Sequence, residues 1–223
     1  MQKGYLVGID IGTYSSKGVI VTTDGVVVEK SSIPHKVSIP KPGWMEHDAD
    51  DVWMHDFLFV LKDLLSKTGI DPKEILSLGV SSIASATLLL DQDKNPVRPS
   101  ILYGVDTRTT GEVEEIKRDL GIFITNQNIP PKLRWVRKNE PDVWKKTRYI
   151  MSGHHYIIMR LTGEINQNIN DMGNYFPLFD DEKLTWNPEH FNYSNVTEDM
   201  LPTPVWSHEI VGRIDKQGAQ LTG

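Results

Sequence analysis

Residues 5–25, YLVGIDIGTYSSKGVIVTTDG, constrain the fold more than any other part of the chain. Two runs rich in β-branched and aliphatic residues, 5–9 and 19–22, each have the length of a strand and flank a polar insert, residues 10–18. The insert reads as a hairpin turn loaded with hydrogen-bonding groups. Gly12 can take φ > 0 and has no Cβ, so backbone N–H groups there can approach an anion closely. Thr13, Ser15 and Ser16 add hydroxyl donors, and Lys17 adds a cation. Asp10, closing the first run, carries the wrong charge for a phosphate but the right one for a hydrated magnesium ion. The set reads as a nucleotide phosphate site with its metal, or else as an ordinary hairpin whose serines form the turn and whose Asp10 is a solvated strand end. It is neither a Walker A loop nor a dinucleotide fingerprint, because the loop leads into a strand and not a helix.

Residues 26–29 extend this to a three-stranded antiparallel meander, with Asp24-Gly25 as the second tight turn. After a loop holding Pro34, Pro40, Pro42 and Gly43, Asp48 is a good N-cap, and Asp50 and Asp51 suit the positive end of a helix dipole. Trp53, Phe57, Val60, Leu61 and Leu64 repeat at helical spacing until Gly69, and these apolar residues are expected to be core. Residues 75–83 read as a buried strand ending in small polar residues, and 88–90 and 101–103 as two runs around a turn-rich connection. Helices are expected over 107–119, with a cap at Thr107 or Thr109, over 131–137 and 142–146, and from a Ser152 cap to Gly163. A short strand is expected at 149–151. Periodicity fades from Asp171 onward. With no internal repeat or linker, the alternation of strands and helices predicts one α/β domain over residues 1–223.

At 39% hydrophobic and 24% charged residues the chain can bury a proper core. A net charge of −6 with interspersed signs argues against a nucleic-acid partner. No window approaches the roughly 18 apolar residues of a membrane span, and the early first strand leaves no room for a signal peptide. With no cysteine, a cytoplasmic location is the expectation. His154 and His155, if helical, would point about 100° apart and fail to share a metal, and His47 and His55 lack a third ligand at useful spacing. No transition-metal site is expected.

The opening loop resembles the first phosphate loop of the actin-like ATPase superfamily, and its D-x-G-T-x-S-x-K pattern is similar to that of the FGGY carbohydrate kinases. Further resemblances follow in order: Pro42-Gly43-Trp44-Met45-Glu46 with Asp48 and Trp53; Leu78-Gly79-Val80-Ser81; residues 99–108, PSILYGVDTR; Lys132-Leu133-Arg134-Trp135 with Glu140-Pro141; and Arg160-Leu161-Thr162-Gly163-Glu164. Chaperones of the same superfamily have no such series.

The resemblance implies an actin-like, ribonuclease H-like domain, with a mixed sheet that opens on the meander and helices on both faces. It implies ATP-dependent phosphorylation of a sugar or polyol hydroxyl, most readily a ketose such as xylulose, with gluconate and polyols as alternatives. Asp10 would help hold Mg²⁺, and Gly12, Thr13, Tyr14, Ser15 and Lys17 would face the nucleotide phosphates. Tyr14 stands where the family has a small hydroxyl residue, and Lys17 where many members carry Arg.

On the sugar side, Ala84-Ser85 replace the Arg-Glu pair of polyol kinases and the Met-His pair of xylulokinases. Ser85, Tyr103, Asp106, Arg108, Gln127 and Asn128 are the substrate candidates, with Asp106 as hydroxyl acceptor and Arg108 either orienting it or exposed. Asp106 and Arg108 also read as a structural ion pair or a helix start. The resemblance places the general-base Asp beyond Gly223, in a C-terminal domain that also supplies the adenine pocket. The partners it implies are a small sugar and that domain, with room for a homodimer. The remaining readings are a non-catalytic sugar- or nucleotide-binding module and a structural protein reusing the fold.

Overall fold

The computed structural model describes residues 4–223. Its organising sheet has four strands: β1 (Tyr5–Ile11), β2 (Ser15–Thr22), β3 (Val27–Pro34) and, after β4 (Glu46–His47) and α1 (His55–Thr68), β5 (Ile75–Ser82). The order is β3-β2-β1-β5, with β1 antiparallel to β2 and parallel to β5. The predicted meander and the mixed sheet are both present.

Alternation along the strands sorts side chains onto two faces. Val7, Ile9, Ile11 and Ile20 point inward and are buried, while Leu6, Asp10 and Lys17 point the other way and are exposed. The inward face carries α1, which leaves a π-turn at Ala49–Met54. Asp48 caps that turn, its carboxylate accepting from the Asp50 and Asp51 amides, and Gly69 ends α1 at φ 67°. Close approach of α1 depends on Gly18, where an added Cβ would lie 2.4 Å from Val60 Cγ1. Trp53, Phe57, Val60, Leu61 and Leu64 are all buried beneath it, as their spacing predicts.

The remaining elements are β6 (Leu88–Leu90), β7 (Ser100–Ile101), α2 (Thr110–Leu120), α3 (Ile129–Asn139), α4 (Pro141–Lys146), β8 (Tyr149–Met151), α5 (His154–Thr162), β9 (Asn166–Asn168), α6 (Ile169–Met172), β10 (Phe179–Asp180), β11 (Thr185–Trp186), α7 (Phe191–Ser194), β12 (Thr203–Val205) and α8 (Lys216–Thr222). α5 packs on β5, and α8 lies against both α1 and α5 on the same side of the sheet. A second core gathers Leu133, Trp135, Val136, Tyr175, Phe179 and Trp186 around α3.

Three expectations change. β5 is a half-exposed edge strand and not a buried one, with Leu76, Ser77, Gly79 and Ser81 open to solvent. Ser152 does not cap α5; Gly153 occupies that position, and the Ser152 hydroxyl accepts from Gln167 Nε2 at 3.3 Å. Thr109 precedes α2 without a capping bond, its hydroxyl turned to Asn126 Oδ1 at 2.9 Å.

Candidate functional site

The turn between β1 and β2 is tighter than the polar insert suggests, because only Gly12, Thr13 and Tyr14 lie outside the strands. Ser16 therefore faces inward, fully buried, and donates to Asp56 Oδ2 at 2.7 Å, which removes it from any anion site. Lys17 faces outward, in register with Asp10. Gly12 is not at positive φ. It is needed for space: an added Cβ would sit 2.7 Å from the Ser15 carbonyl oxygen, the same atom that accepts the Gly12 N–H at 3.1 Å. That N–H is spent within the turn. Tyr14 projects into solvent, 63% exposed, and Ser15 is half-buried.

Asp10, one residue before the end of β1, lies next to Ser81 of β5, whose hydroxyl donates to Oδ1 at 2.6 Å. Asp10, Lys17 and Ser81 line a groove of about 900 Å³ along the open sheet face, which Lys30 and Lys67 also reach.

Thr13 is held from two sides. The Trp53 indole N–H donates to His47 Nδ1 at 3.1 Å, which places the ring proton on Nε2, and Nε2 donates to the Thr13 carbonyl at 3.1 Å. Burial, reinforced by the neighbouring His35, lowers the His47 pKa to about 4, so the ring is neutral at pH 7. On the other side the Thr13 hydroxyl lies 3.2 Å from the Tyr103 hydroxyl.

Tyr103 leads into the second half of the site. Gln127 Oε1 accepts the Gly104 N–H at 3.0 Å, and Gln127 Nε2 donates to Ser85 Oγ at 2.7 Å. Ser85 sits at φ 57° and is turned inward, whereas Ala84 faces solvent. The fold thus brings Thr13 to Tyr103 and Gln127 to Ser85 in two hydrogen-bonded pairs, joined by the chain step from Tyr103 to Gly104.

Three other substrate candidates lie elsewhere. Asp106 is buried, and its oxygens accept from the Met45 N–H at 2.7 Å, the Arg108 N–H at 3.0 Å and the Arg108 guanidinium. With its lone pairs so engaged it has no free acceptor for a sugar hydroxyl. Arg108 is not exposed: its side chain is 0% accessible, pairs with Asp106 at 2.8 Å and Glu46 at 2.7 Å, and lies 4.1 Å over the Trp44 ring. Asn128 closes the turn before α3, its Oδ1 accepting from the Thr125 N–H at 3.0 Å.

His154 and His155 depart from the helical-wheel argument. They open α5 directly after Gly153, at φ 47°, and their ring centroids lie 4.1 Å apart. With Asp171 they form a three-ligand cluster, but its centre holds the Asn168 amide nitrogen. That nitrogen lies 3.3 Å from each Nε2 and donates to Asp171 Oδ2 at 2.9 Å. Burial lowers the two pKa values to about 3 and about 4, leaving both rings neutral.

Over residues 5–223 the sequence matches the FGGY family of carbohydrate kinases, N-terminal domain. The chain belongs to this family. It is 30% identical to the xylulose kinase of Staphylococcus xylosus over 98% of this chain and 46% of that protein. It is also 30% identical to the glycerol kinase of Thermococcus kodakarensis, over 99% of this chain and 46% of that one. The crystal structure of xylulose kinase from Rhodospirillum rubrum superposes with a TM-score of 0.88 at 27% identity, covering 99% of this chain and 47% of that chain. The chain spans about half the length of the curated relatives it matches.

The FGGY motifs prove to be contact partners. Gly43 accepts the Thr107 N–H, Met45 donates to Asp106, and Glu46 pairs with Arg98 at 2.5 Å and with Arg108. Ser81 and His47 lie beside the candidate residues without a sequence signal that says so. Strand register sets Ser81 next to Asp10, and a ring hydrogen bond brings His47 to the Thr13 carbonyl.

Proposed function

We propose that this chain is the N-terminal, sugar-side half of an ATP-dependent kinase that phosphorylates a hydroxyl of a small sugar, with a ketose such as xylulose as the first choice. The observation that carries this reading is the contact between the Thr13 and Tyr103 hydroxyls, with Gln127 bonded to the next residue, Gly104, and to Ser85. It supports a reading in which the turn after β1 meets phosphates and a polar wall beside it meets a polyhydroxyl ligand. Phosphoryl transfer depends mainly on alignment and on neutralising charge, and fixed donors serve both.

The donor set at Asp10 fits magnesium: one exposed carboxylate oriented by a neighbouring hydroxyl suits a cation that keeps several of its waters. When bound there with ATP, the ion supplies charge neutralisation at the phosphates. Thr13, Tyr14 and Ser15 stand at the turn to meet the phosphates, and Lys17 adds positive charge from the groove. Tyr103 offers an aromatic wall for stacking on a sugar face. Gln127 and Ser85 offer an amide and a hydroxyl for sugar hydroxyls, once these exchange with their present bond to each other.

The general base is assigned to a C-terminal domain that closes over these residues, since Asp106 is saturated and Asp10 is committed to the ion. The cytoplasm, where ATP and sugars meet, is the proposed location. No helix among the described residues is long and apolar enough to cross a membrane.

A second reading, a non-catalytic sugar- or nucleotide-binding module, draws on Ala84 at the exposed position and Ser85 turned away from it. Calorimetric titration with xylulose, ribulose, gluconate, erythritol and glycerol, with and without ATP and Mg²⁺, tests the proposal. A sugar-dependent heat that Q127A abolishes is expected; no heat with any sugar contradicts it.

A further inference from the structure

Lys132, in the first turn of α3, is fully buried. Lysine is seldom so placed without a carboxylate partner, yet its Nζ donates to two backbone carbonyls, Ser85 at 3.1 Å and Gln127 at 3.2 Å. These carbonyls belong to two separate segments, one following β5 and one preceding α3. The same two residues are joined again through their side chains by the 2.7 Å bond from Gln127 Nε2 to Ser85 Oγ.

Ser85 occupies the left-handed region, at φ 57°, which a residue with a Cβ adopts only when its surroundings impose it. Both its carbonyl and its hydroxyl are gripped, one by Lys132 and one by Gln127. Removing the amine would free one of these grips and leave the Ser85 and Gln127 carbonyl oxygens without that donor.

We propose that Lys132 is a positioning residue of the sugar site: it fastens the Ser85 and Gln127 segments into one wall and so sets sugar affinity without acting on the nucleotide. The inference rests on the sugar-kinase reading above. It extends that reading to a residue that reaches the sugar only through others. Burial, opposed by Asp106 and reinforced by Arg108, lowers the Lys132 pKa to about 7, which agrees with an amine held by carbonyls and not by a salt bridge.

The test uses the kinase that joins this chain to its C-terminal domain, comparing wild type with K132M, which keeps the length and apolar stem of the side chain. The KM for the sugar is expected to rise about tenfold or more, with kcat and the KM for ATP within about twofold. A sugar KM within about twofold of wild type overturns the role of Lys132 while leaving the kinase reading intact. A wild type that neither binds nor phosphorylates any sugar overturns the kinase reading and the Lys132 role with it. Should K132M fail to fold, hydrogen exchange on the wild type decides. Sugar is expected to slow exchange in residues 83–87 and 125–128 together, and slowing in neither or only one of the two segments contradicts the proposal.

Discussion

Asp10 and Asp106 are the same residue type in two of the family motifs, and their surroundings give them opposite uses. Asp10 is exposed and takes one hydroxyl bond, so its charge remains available to an ion. Asp106 is enclosed by Met45 and Arg108 and holds the scaffold. D10N should lower turnover of the complete kinase by roughly 100-fold, about 2.7 kcal/mol of barrier, without moving the unfolding midpoint. Unchanged turnover at saturating Mg²⁺ would remove Asp10 from the site. D106N should instead destabilise by about 3 kcal/mol in urea unfolding, because Arg108, itself 0% accessible, loses a buried counter-charge. The acid behaviour follows from three histidines. His47, His154 and His155 have folded pKa values below the ordinary 6.5, so the unfolded chain takes up protons that the folded chain refuses. The histidine contribution to stability is complete above pH 6.5 and falls as the pH drops from there toward 4, each ring contributing on the order of 1.4 kcal/mol per pH unit. A urea midpoint that stays level between about pH 7 and pH 5 would contradict this.

At the scale of elements, α1 was legible in its apolar face and its end at the left-handed Gly69, because those signals are local, whereas the expected cap Asp48 holds the π-turn before it and not α1 itself. D48A should cost about 1 kcal/mol through loss of the two amide bonds, read from the unfolding midpoint. G18A should cost about 1–3 kcal/mol, because its Cβ meets Val60 Cγ1 at 2.4 Å and must push α1 off the sheet. The polar insert was misjudged for a physical reason. Once β1 and β2 extend through it, strand alternation sends Ser16 into the core and Lys17 out, and composition alone cannot tell such neighbours apart. The same limit hid β5's exposed face. Whether an apolar run is covered depends on which helices reach it, which is long-range information. The α5 histidines failed for a third reason, since the wheel argument assumes a continuous helix and His154 is its first residue after Gly153.

For the molecule as a whole, the FGGY motifs were readable as a series, and their meaning emerged only when folded. Pro42 to Glu46, Asp106 to Arg108 and Glu140 meet through Arg98 and Arg108, a charged lattice beneath the site that no one motif shows. Of the residues proposed for the sugar side, Tyr103, Gln127 and Ser85 lie close together in the fold, whereas Asp106, Arg108 and Asn128 make contacts within the scaffold. The central claim is that this chain supplies the sugar side of a kinase whose general base lies on another domain. The measurement that tests it most directly is ADP release with ATP, Mg²⁺ and a panel of xylulose, ribulose, gluconate, erythritol and glycerol. It should be run on the 223-residue chain and on the protein that joins it to its C-terminal domain. Turnover is expected from the longer protein alone, with its preferred sugar naming the substrate. Turnover by the 223-residue chain would show that the base lies within it, and silence from both would show that the fold is used here without catalysis.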